Sequence, residues 1–446
     1  MNKRDFLKSS GALLATTVLP TPARATDLEP HCTNWAGNLR YHADQLASPH
    51  SVDELRTLVK SSSKLRALGS RHSFNTIADS PVAQISLAHF DSIAFDPASH
   101  TLTVGAGVRY GTLAPFLDAK GFAVHNLASL PHITVIGAAS TATHGSGIHN
   151  GNLATAITSL EMVTADGELV RISRGDAHFP GAVVALGTLG IVTSVTLEVQ
   201  PRFDMTQTVY QNLSFDQLRE NLDAIMGAAY SVSLFTDWQN HRATQVWLKR
   251  RIEPGVTHPQ DPEFYGATLA KQNLHPLEGH SAENCTEQMG VPGPWYERMP
   301  HFRMNFTPSS GAELQTEYFV PRSRGYEAIL AVEQLRDLIT PHLFVTELRT
   351  IAADSLWLST AHDRESLAIH FTWKPETPEV LALLPLIEEK LAPFQARPHW
   401  AKLFSTPPAT LRRLYPQLEA FQGLARHYDP KGKFRNHFVD HNLFTV

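Results

Sequence analysis

Residues 65–75 read Leu65-Arg66-Ala67-Leu68-Gly69-Ser70-Arg71-His72-Ser73-Phe74-Asn75. The apolar start of this stretch predicts a strand over 64–68, and the glycine and serine residues after it predict a loop over 69–75. Glycine and serine place little side chain in the way, so such a loop can bring its backbone close to a bulky group. His72 lies in the middle of this loop.

The segments around this loop predict helices mixed with short strands. Ser51 is placed as the N-cap of a helix over 52–60, and a second helix over 112–120 ends at Gly121. Further strands are predicted over 84–87, 92–95, 101–104, 160–163, 169–172 and 191–199. The arrangement lacks the regular strand–helix alternation of a Rossmann unit.

Small residues are concentrated between positions 127 and 152. They are Ala128, Ser129, Gly137, Ala138, Ala139, Ser140, Gly145, Ser146, Gly147 and Gly151. Together with the loop over 69–75 they predict a backbone cradle whose N–H groups can hold a pyrophosphate. Tight internal packing is an equally good interpretation of the same residues.

The second half of the chain predicts an antiparallel sheet with helices packed on it. Strands are predicted over 230–238, 245–250, 314–320, 344–350 and 367–373, and helices over 326–338 and 378–390. Residues 254–294, rich in proline, glycine, histidine and glutamate, predict long loops. A C-terminal helix is predicted over 409–427, closed by a turn over 429–432.

Two pairs of polar residues stand on these predicted strands. Glu347 and Arg349 share one face of their strand, and His370 and Thr372 share one face of theirs. Buried polar groups are destabilising unless they are paired, by about 1–3 kcal/mol each when neutral. The residues therefore form either an internal salt bridge with satisfied neighbours, or a polar surface that binds hydroxyl groups and assists their deprotonation.

Composition excludes several classes of function. The chain has 446 residues, of which 42% are hydrophobic and 18% charged, with a formal net charge of −5 and no basic block. These values predict two or three folded domains and argue against a nucleic-acid partner. The 23 histidines and two cysteines show no zinc-like spacing, so we expect no metal site. No Gly-x-Gly-x-x-Gly motif, phosphate loop or Gly-x-Ser-x-Gly elbow is present.

The N-terminus predicts export. Residues 1–8 are basic, 11–19 are apolar, and Ala23-Arg24-Ala25 forms a small-x-small cleavage site. Lys3-Arg4-Asp5-Phe6-Leu7-Lys8 is similar to a twin-arginine signal with lysine in place of the first arginine. We therefore expect cleavage after Ala25 and a periplasmic or secreted protein. No later segment is long and apolar enough to span a membrane. Whether Cys32 and Cys285 pair is left open.

Six ordered motifs give the chain a family resemblance over nearly its whole length after the signal. Residues 65–75, continuing through Ile77-Ala78-Asp79-Ser80, resemble the flavin-attachment segment of alditol oxidases. This group, also called xylitol oxidases, belongs with the sugar-lactone oxidases to the vanillyl-alcohol-oxidase superfamily. The other matching segments are 126–132, 143–147, 346–354, 370–375 and 397–404, followed by Leu414-Tyr415-Pro416 and residues 429–436.

The resemblance implies an α+β fold of the two-domain vanillyl-alcohol-oxidase type. Such a fold has an FAD-binding domain of the PCMH type and a substrate, or cap, domain with an antiparallel sheet. We accordingly divide the chain into a signal over 1–25, an FAD-binding domain over 26–200 and a cap domain over 201–400. A C-terminal segment over 401–446 is expected to return to the FAD-binding domain.

The cofactor implied by the resemblance is FAD. His72 is the position that bonds covalently to the flavin in such enzymes, and a second, cysteinyl link is not expected because both cysteines lie outside the motifs. The remaining predicted FAD contacts are Ala67, Leu68, Gly69, Ser70, Arg71, Ser73, Ser129, Thr134, Gly137, Ala138, Ala139, Ser140, Thr141, Ile191 and His399.

The activity implied by the resemblance is oxidation of the terminal hydroxyl of an alditol such as xylitol or sorbitol. The product would be an aldose, and O2 would reoxidise the flavin to give hydrogen peroxide. The family pattern places Ser129, Glu347, Arg349, Thr372 and Lys402 on the polyol. Arg349 and Lys402 would stabilise alkoxide character and His370 would accept the proton, which makes these three the predicted catalytic residues. Lys374 is a rival to Lys402.

Three alternatives remain open at this point. The chain could be a sugar-1,4-lactone oxidase or dehydrogenase of the same fold, or a polyol dehydrogenase that uses a periplasmic electron acceptor. It could also be a carbohydrate-binding protein without turnover, which would be colourless where an oxidase is yellow. We expect a monomer that takes a small polyol and O2.

Overall fold

The computed structural model describes residues 31–256, 259–306 and 311–445. The export signal predicted over 1–25 lies outside these residues. The strands are β1 Gln45–Ala47, β2 Leu65–Leu68, β3 Ala83–Ser86, β4 Ile93–Asp96, β5 Thr101–Gly105, β6 Phe122–Ala123, β7 Ile157–Val163, β8 Leu169–Ser173, β9 Ile191–Glu198, β10 Gln200–Pro201, β11 Asp204–Ser214, β12 Ser231–Thr236, β13 Arg242–Arg251, β14 Glu263–Phe264, β15 Ala267–Leu269, β16 Gly293–Pro294, β17 Leu314–Pro321, β18 Leu343–Ile351, β19 Ser366–Trp373 and β20 Arg397–Pro398.

The α-helices are α1 Val52–Ser61, α2 Tyr110–Ala119, α3 Val135–Ser140, α4 Phe179–Ala182, α5 Leu218–Met226, α6 Gly325–Glu333, α7 Arg336–Ile339, α8 Thr377–Leu391, α9 Pro408–Leu414, α10 Leu418–Tyr428 and α11 His437–Val439. Single-turn 3-10 helices and a C-terminal π-turn, Asp440–Phe444, complete the regular structure.

Local sequence signals account for the first helix. The Ser51 hydroxyl accepts a hydrogen bond from the Glu54 N–H at 3.2 Å, as the predicted N-cap requires. Leu55 and Val59, one turn apart, are fully buried against the neighbouring sheet. The predicted helix is therefore confirmed, and its end lies one residue beyond the prediction.

The predicted C-terminal helix over 409–427 is wrong as one element. The structure has two helices there, α9 and α10, separated at Tyr415 and Pro416. The ring of a proline disfavours helical geometry in the residue before it, and Tyr415 is accordingly extended, with φ −115° and ψ 92°. The predicted helix over 326–338 is likewise two short helices, α6 and α7.

Besides the two-stranded pairing of β6 with β10, the first part of the chain builds two sheets. One is parallel, in the order β1-β3-β2, and the other is antiparallel, in the order β4-β5-β9-β7-β8. Helices α9 and α10 from the end of the chain pack into the same core through Leu411, Phe421 and Leu424. The C-terminal segment thus lies against the part of the fold that contains His72.

Residues 204–398 contribute the strands of one large antiparallel sheet. Its order is β14-β15-β11-β13-β12-β18-β19-β17-β20, with β16 paired to β11. Strand alternation gives this sheet two different faces. Leu348, Ile369 and Tyr318 share one face and pack in a core with helices α5, α6 and α8. The opposite face presents Glu347, His370 and Glu317, which are direct neighbours across β18, β19 and β17.

Cys32 and Cys285 are both free thiols in the structure. Cys285 is buried in a small cluster with Phe235, Trp247 and Val345, and this burial raises its pKa to about 11. In the described parts of the chain, no helix combines the length and the apolar character needed to cross a bilayer.

Candidate active site

A deep cleft runs between the sheets of the first part and the polar face of the large sheet. One end is lined mainly by backbone and small side chains, and the other end by polar and charged residues of the large sheet and of the loop after β20. Lining residues of the first kind include Ala67, Leu68, Gly69, Ser70, Arg71, His72, Ser73, Gly107, Ala128, Ser129, Thr134, Gly137, Ala138, Ser140, Thr141, Gly187, Gly190 and Val192; those of the second kind are Gln315, Glu317, Arg349, His370, His399 and Lys402.

Hydrogen bonds from one buried arginine stabilise the small-residue end of the cleft. Arg66 is buried, and its guanidinium donates to the carbonyl groups of Gly187, Phe434, Ile77 and Leu186 at 2.5–2.9 Å. It therefore ties the start of the 69–75 loop to the loop at Gly187 and to the C-terminal segment. A Cβ at position 69 would lie 2.9 Å from Thr134 Oγ1, so a larger residue there would force the Thr134 side chain to shift.

His72 lies where the two ends of the cleft meet. Its Nδ1 is 3.1 Å from Nε2 of His132, and the indole of Trp35 lies against both imidazoles at ring-centre distances of 4.4 and 5.3 Å. Burial, with His132 and Lys402 nearby, holds the pKa of His72 well below its usual range. The ring is therefore neutral, the form in which an imidazole nitrogen has a lone pair available to bond carbon.

Glu317 is the centre of the charged end. This fully buried carboxylate accepts hydrogen bonds from Lys402 Nζ at 2.6 Å and from Arg349 Nη2 at 3.1 Å, and His144 Nε2 lies 3.1 Å away. Burial alone would raise the pKa of Glu317, but Lys402, His144 and Arg349 outweigh it and hold the pKa well below its usual range. Glu317 is therefore ionised and fixes both cations at the cleft wall.

Glu347 holds Arg349 from the other side. Its Oε2 lies 3.5 Å from Arg349 Nε, and its Oε1 is 2.7 Å from His301 Nε2. Burial opposes ionisation of Glu347, but Arg349 and His301 outweigh it and lower the pKa well below its ordinary value. The same two carboxylates raise the pKa of Arg349 against the effect of its burial. The guanidinium is thus charged and clamped between two anions.

His370 is a neutral polar group on this wall with open hydrogen-bonding capacity. It is 9% exposed, and neither ring nitrogen has a hydrogen-bond partner among the described residues. The nearest carboxylate oxygen, on Glu347, is 3.9 Å from Nδ1, beyond hydrogen-bond distance. Burial, with Lys402 nearby, lowers the pKa of His370 to about 4. A neutral imidazole with an unused nitrogen faces the cleft beside two cations.

The structure brings most of the predicted site residues to the cleft. Ser129, Arg349, Lys402, His370 and His399 line it, as do all residues of the 67–73 segment. Lys374, the rival to Lys402, is remote: its ammonium group donates to the Pro341 carbonyl at 2.6 Å on the surface. His399 accepts a hydrogen bond from the Ala401 N–H, which orients its ring.

Four predicted residues lie near the cleft without being part of its described lining. Glu347 lies behind Arg349, and Thr372 lies one pleat beyond His370 on the same face. The Ile191 side chain is buried in a small core with Leu55 and Phe434, although its neighbours Gly190 and Val192 line the cleft. Ala139 belongs to α3 and points into the large hydrophobic core.

Sequence reasoning missed Glu317 and His144 as site residues. Glu317 was inside a predicted apolar strand, and a charged residue in the middle of such a strand was the available signal. His144 belonged to a quoted motif but had no assigned partner. Only the pairing of β17 with β19 brings Glu317 beside His370 and beneath Lys402.

Comparison with known proteins shows which families this chain is similar to. The FAD binding domain family matches residues 43–173, and the D-arabinono-1,4-lactone oxidase family matches residues 310–442. An alditol oxidase of Streptomyces sp. is 47% identical over 412 residues, which cover 91% of this chain and 97% of that protein. The chain belongs to the alditol oxidase family.

A more distant relative and a solved structure also match this alditol oxidase family member over most of its length. An L-gulono-1,4-lactone dehydrogenase of Mycobacterium tuberculosis is 29% identical over 434 residues, covering 92% of this chain and 99% of that protein. A solved structure of cholesterol oxidase from B. sterolicum superposes with a TM-score of 0.72 at 14% identity, covering 95% of this chain and 99% of that one. The fold is therefore of the α+β vanillyl-alcohol-oxidase type, as predicted.

The residues of the cleft fit the FAD that the family binds. A dinucleotide needs backbone donors for its pyrophosphate and walls without bulky side chains, and the segments 67–73 and 134–141 supply both. Gly107 shows how tight this wall is, since a Cβ there would lie 2.6 Å from the Leu87 carbonyl oxygen. In this alditol oxidase family member, the small-residue end would hold the cofactor and the charged end would face its reactive ring.

Proposed function

We propose that this protein oxidises the terminal hydroxyl of an alditol, such as xylitol or sorbitol, to the aldose. FAD would accept the hydride from the substrate carbon, and O2 would serve as the final electron acceptor. The observation that carries the proposal is His370: a buried, neutral histidine beside Arg349 and Lys402 on the cleft wall, with no hydrogen-bond partner for either ring nitrogen among the described residues. The 47% identity to an alditol oxidase supports a polyol as the substrate class.

Each charged residue has a distinct part in this proposal. When a hydroxyl gives up its proton, the oxygen gains negative charge, and Arg349 and Lys402 stand where they would stabilise that charge. The unpaired nitrogen of His370 would accept the proton within hydrogen-bond reach. Glu317 and Glu347 keep the two cations in place, and Ser129 and Thr372 would bind further hydroxyl groups of the polyol.

A covalent FAD link at His72 is part of the same proposal. The neutral ring of His72, held by His132 and Trp35 where the two ends of the cleft meet, supports this assignment.

We also propose that the chain is exported through a twin-arginine route, because residues 1–25 combine the basic, apolar and cleavage segments of such a signal. Mass determination of the mature protein from a native host tests the predicted cleavage after Ala25.

The experiment that tests the activity is anaerobic mixing of the purified holoprotein with xylitol, followed by admission of air, while the flavin absorbance is recorded. We expect bleaching with xylitol and rapid recovery in air with hydrogen peroxide formed. Bleaching with slow recovery would identify a dehydrogenase that passes electrons to another acceptor. A flavin that xylitol and sorbitol leave oxidised would exclude the alditol assignment.

A sugar-1,4-lactone is the second candidate substrate. It is favoured by the match of residues 310–442 to the D-arabinono-1,4-lactone oxidase family and by the lactone dehydrogenase relative. The same anaerobic assay with L-gulono-1,4-lactone distinguishes the two, since the true substrate bleaches the flavin at the lower concentration.

A further inference from the structure

A second row of polar residues contacts Oε1 of Glu347, whereas Arg349 lies nearest to Oε2. His301, from the loop before β17, places Nε2 at 2.7 Å from Glu347 Oε1. Its other nitrogen, Nδ1, lies 3.1 Å from Nζ of Lys249 on β13. Lys249 also donates to the Met299 carbonyl at 2.5 Å. The three side chains therefore form a continuous chain from Lys249 through His301 to Glu347.

Donor and acceptor chemistry determines which atom carries the proton in each hydrogen bond of this series. Below its pKa of about 7, Lys249 is an ammonium group, which only donates, and the ionised carboxylate of Glu347 only accepts. His301 must then accept from Lys249 at Nδ1 and donate to Glu347 at Nε2, which is a single neutral tautomer. Burial, with Lys249 close by, lowers the pKa of His301 to about 4, consistent with a neutral ring.

Packing holds this chain in one arrangement. Lys249 is 1% exposed, an unusual position for a lysine. The imidazole of His301 packs edge to face against Phe235 and Trp247, at ring-centre distances of 5.3 and 5.2 Å. Neither Lys249 nor His301 is among the described residues that line the cleft, and both are buried, so we assign them no contact with the substrate.

We propose that Lys249 and His301 are positioning residues, which act through Glu347 to hold its carboxylate ionised and aligned behind Arg349. This inference rests on the proposed function, because Arg349 matters only if its charge stabilises a reacting oxygen. The cation of Lys249 favours the ionised form of Glu347, and the His301 N–H fixes the orientation of its oxygens. Arg349 is then held against Glu317 and Glu347 in one geometry.

Four groups face Lys249 and complete its electrostatic surroundings. Glu347 favours its charged form, and Arg349 and burial disfavour it; burial is the largest effect and lowers the pKa of Lys249 to about 7. His301 and the thiol of Cys285 are the other two neighbours. In the part of the chain that the structure describes, Glu347 is the carboxylate that favours the charged form of this buried lysine.

The test compares three variants as holoproteins in anaerobic flavin reduction by xylitol across pH. His301→Leu removes both hydrogen bonds, and we expect the reduction rate to fall about tenfold or more. Loss of the N–H donor raises the pKa of Glu347, so the acid limb of the rate profile should move upward by about one pH unit. Lys249→Met removes the cation and should move the limb in the same direction.

His301→Gln is the matched variant, since its amide offers one donor to Glu347 and one acceptor to Lys249. We expect it to restore most of the rate and the wild-type acid limb. His280→Leu, an exposed histidine of the same loop region, is the control and should leave both unchanged. Flavin absorbance and the thermal midpoint check that each variant is folded; if His301→Leu does not fold, Lys249→Met carries the test.

Two results would overturn the proposal. A His301→Leu or Lys249→Met protein with wild-type rate and an unmoved acid limb would show that the pair has no influence on Glu347. A His301→Gln protein as slow as His301→Leu, with its limb unmoved, would assign the ring to proton transfer instead. Failure of the proposed function is seen separately, in a wild-type protein that xylitol does not bleach. In that case the variants are compared with L-gulono-1,4-lactone as the substrate, if this lactone bleaches the flavin.

Discussion

The ammonium group of Lys402 lies 2.6 Å from Glu317 Oε2, with the carboxylate fully buried and the lysine 12% exposed. This contact joins the loop after β20, which comes from the sequence near the C-terminus, to the middle of the large sheet. Because Glu317 also accepts from Arg349, a single carboxylate sets the position of both cations on the cleft wall.

Glu317→Gln should therefore be one of the most damaging conservative changes in the chain. The amide keeps the shape but leaves Arg349 and Lys402 buried with one anion fewer, and breaking a buried pair in this way costs about 3–5 kcal/mol. We expect a lower thermal midpoint together with slow flavin reduction. Glu327→Gln, on the exposed surface of α6, is the control, since its carboxylate pairs only weakly with Arg324 at 3.7 Å. Equal midpoints in the two variants would contradict the assignment.

The two candidate lysines can be separated by matched changes. Lys402→Met removes the cation at the cleft wall while keeping most of the stem, and we expect flavin reduction to slow by about a hundredfold. Lys374→Met removes a surface lysine bonded to a backbone carbonyl and should have little effect. Rapid-mixing absorbance of the two holoproteins with xylitol measures both. An impaired Lys374→Met protein beside a normal Lys402→Met protein would reverse the assignment.

Arg349→Ala should lower turnover by about a hundredfold to a thousandfold, because it removes a cation from the place where negative charge develops. The flavin spectrum should remain that of the wild type, since Arg349 belongs to the charged end of the cleft and not to the small-residue end. Steady-state oxygen consumption and a visible spectrum of the same sample give both readouts. Near-normal turnover would exclude the role assigned to Arg349.

His72→Ala should abolish acid-stable flavin. The wild-type protein precipitated with acid should retain its yellow colour, and the variant should release its flavin to the supernatant, because the bonding nitrogen is gone. His280→Ala is a suitable control on an exposed histidine. A coloured precipitate from His72→Ala would place the attachment at another residue.

The rate of flavin reduction should depend on pH with two limbs. Above the His370 pKa of about 4 the ring is neutral and can accept a proton, and Glu347, whose pKa is held well below its ordinary value, is ionised and holds Arg349, so the rate should rise as pH increases through the range in which both groups lose their protons. Burial, only partly offset by Glu317, lowers the pKa of Lys402 from its usual 10.5, so its charge is lost at a lower pH than that of an exposed lysine. The rate should therefore fall on the alkaline side before pH 10.5. A profile flat from pH 4 to 10 would contradict both roles.

Local sequence determined much of the architecture. The N-cap at Ser51, the helix end at Gly121 and the alternating strands of the second half are set by neighbouring residues, and the structure contains each of them. The glycine and serine residues of the loop over 69–75 and the small residues after position 127 also predicted a backbone-lined cleft. Small side chains allow a bulky group to come close to the backbone. The pair Glu347 and Arg349 could be assigned to one face by strand alternation alone.

Tertiary structure alone decided the partners of these groups. Spacing along a strand says which side chains share a face, but strand order says which faces become neighbours. The order β18-β19-β17 places Glu317 beside His370, and a loop residue, His301, joins Lys249 to Glu347. Burial then gives these contacts their strength, because charges removed from water interact through a low dielectric. The sequence shows which residues are polar and which of them share a strand face. Which of these residues pair with one another depends on the segments that the fold brings together.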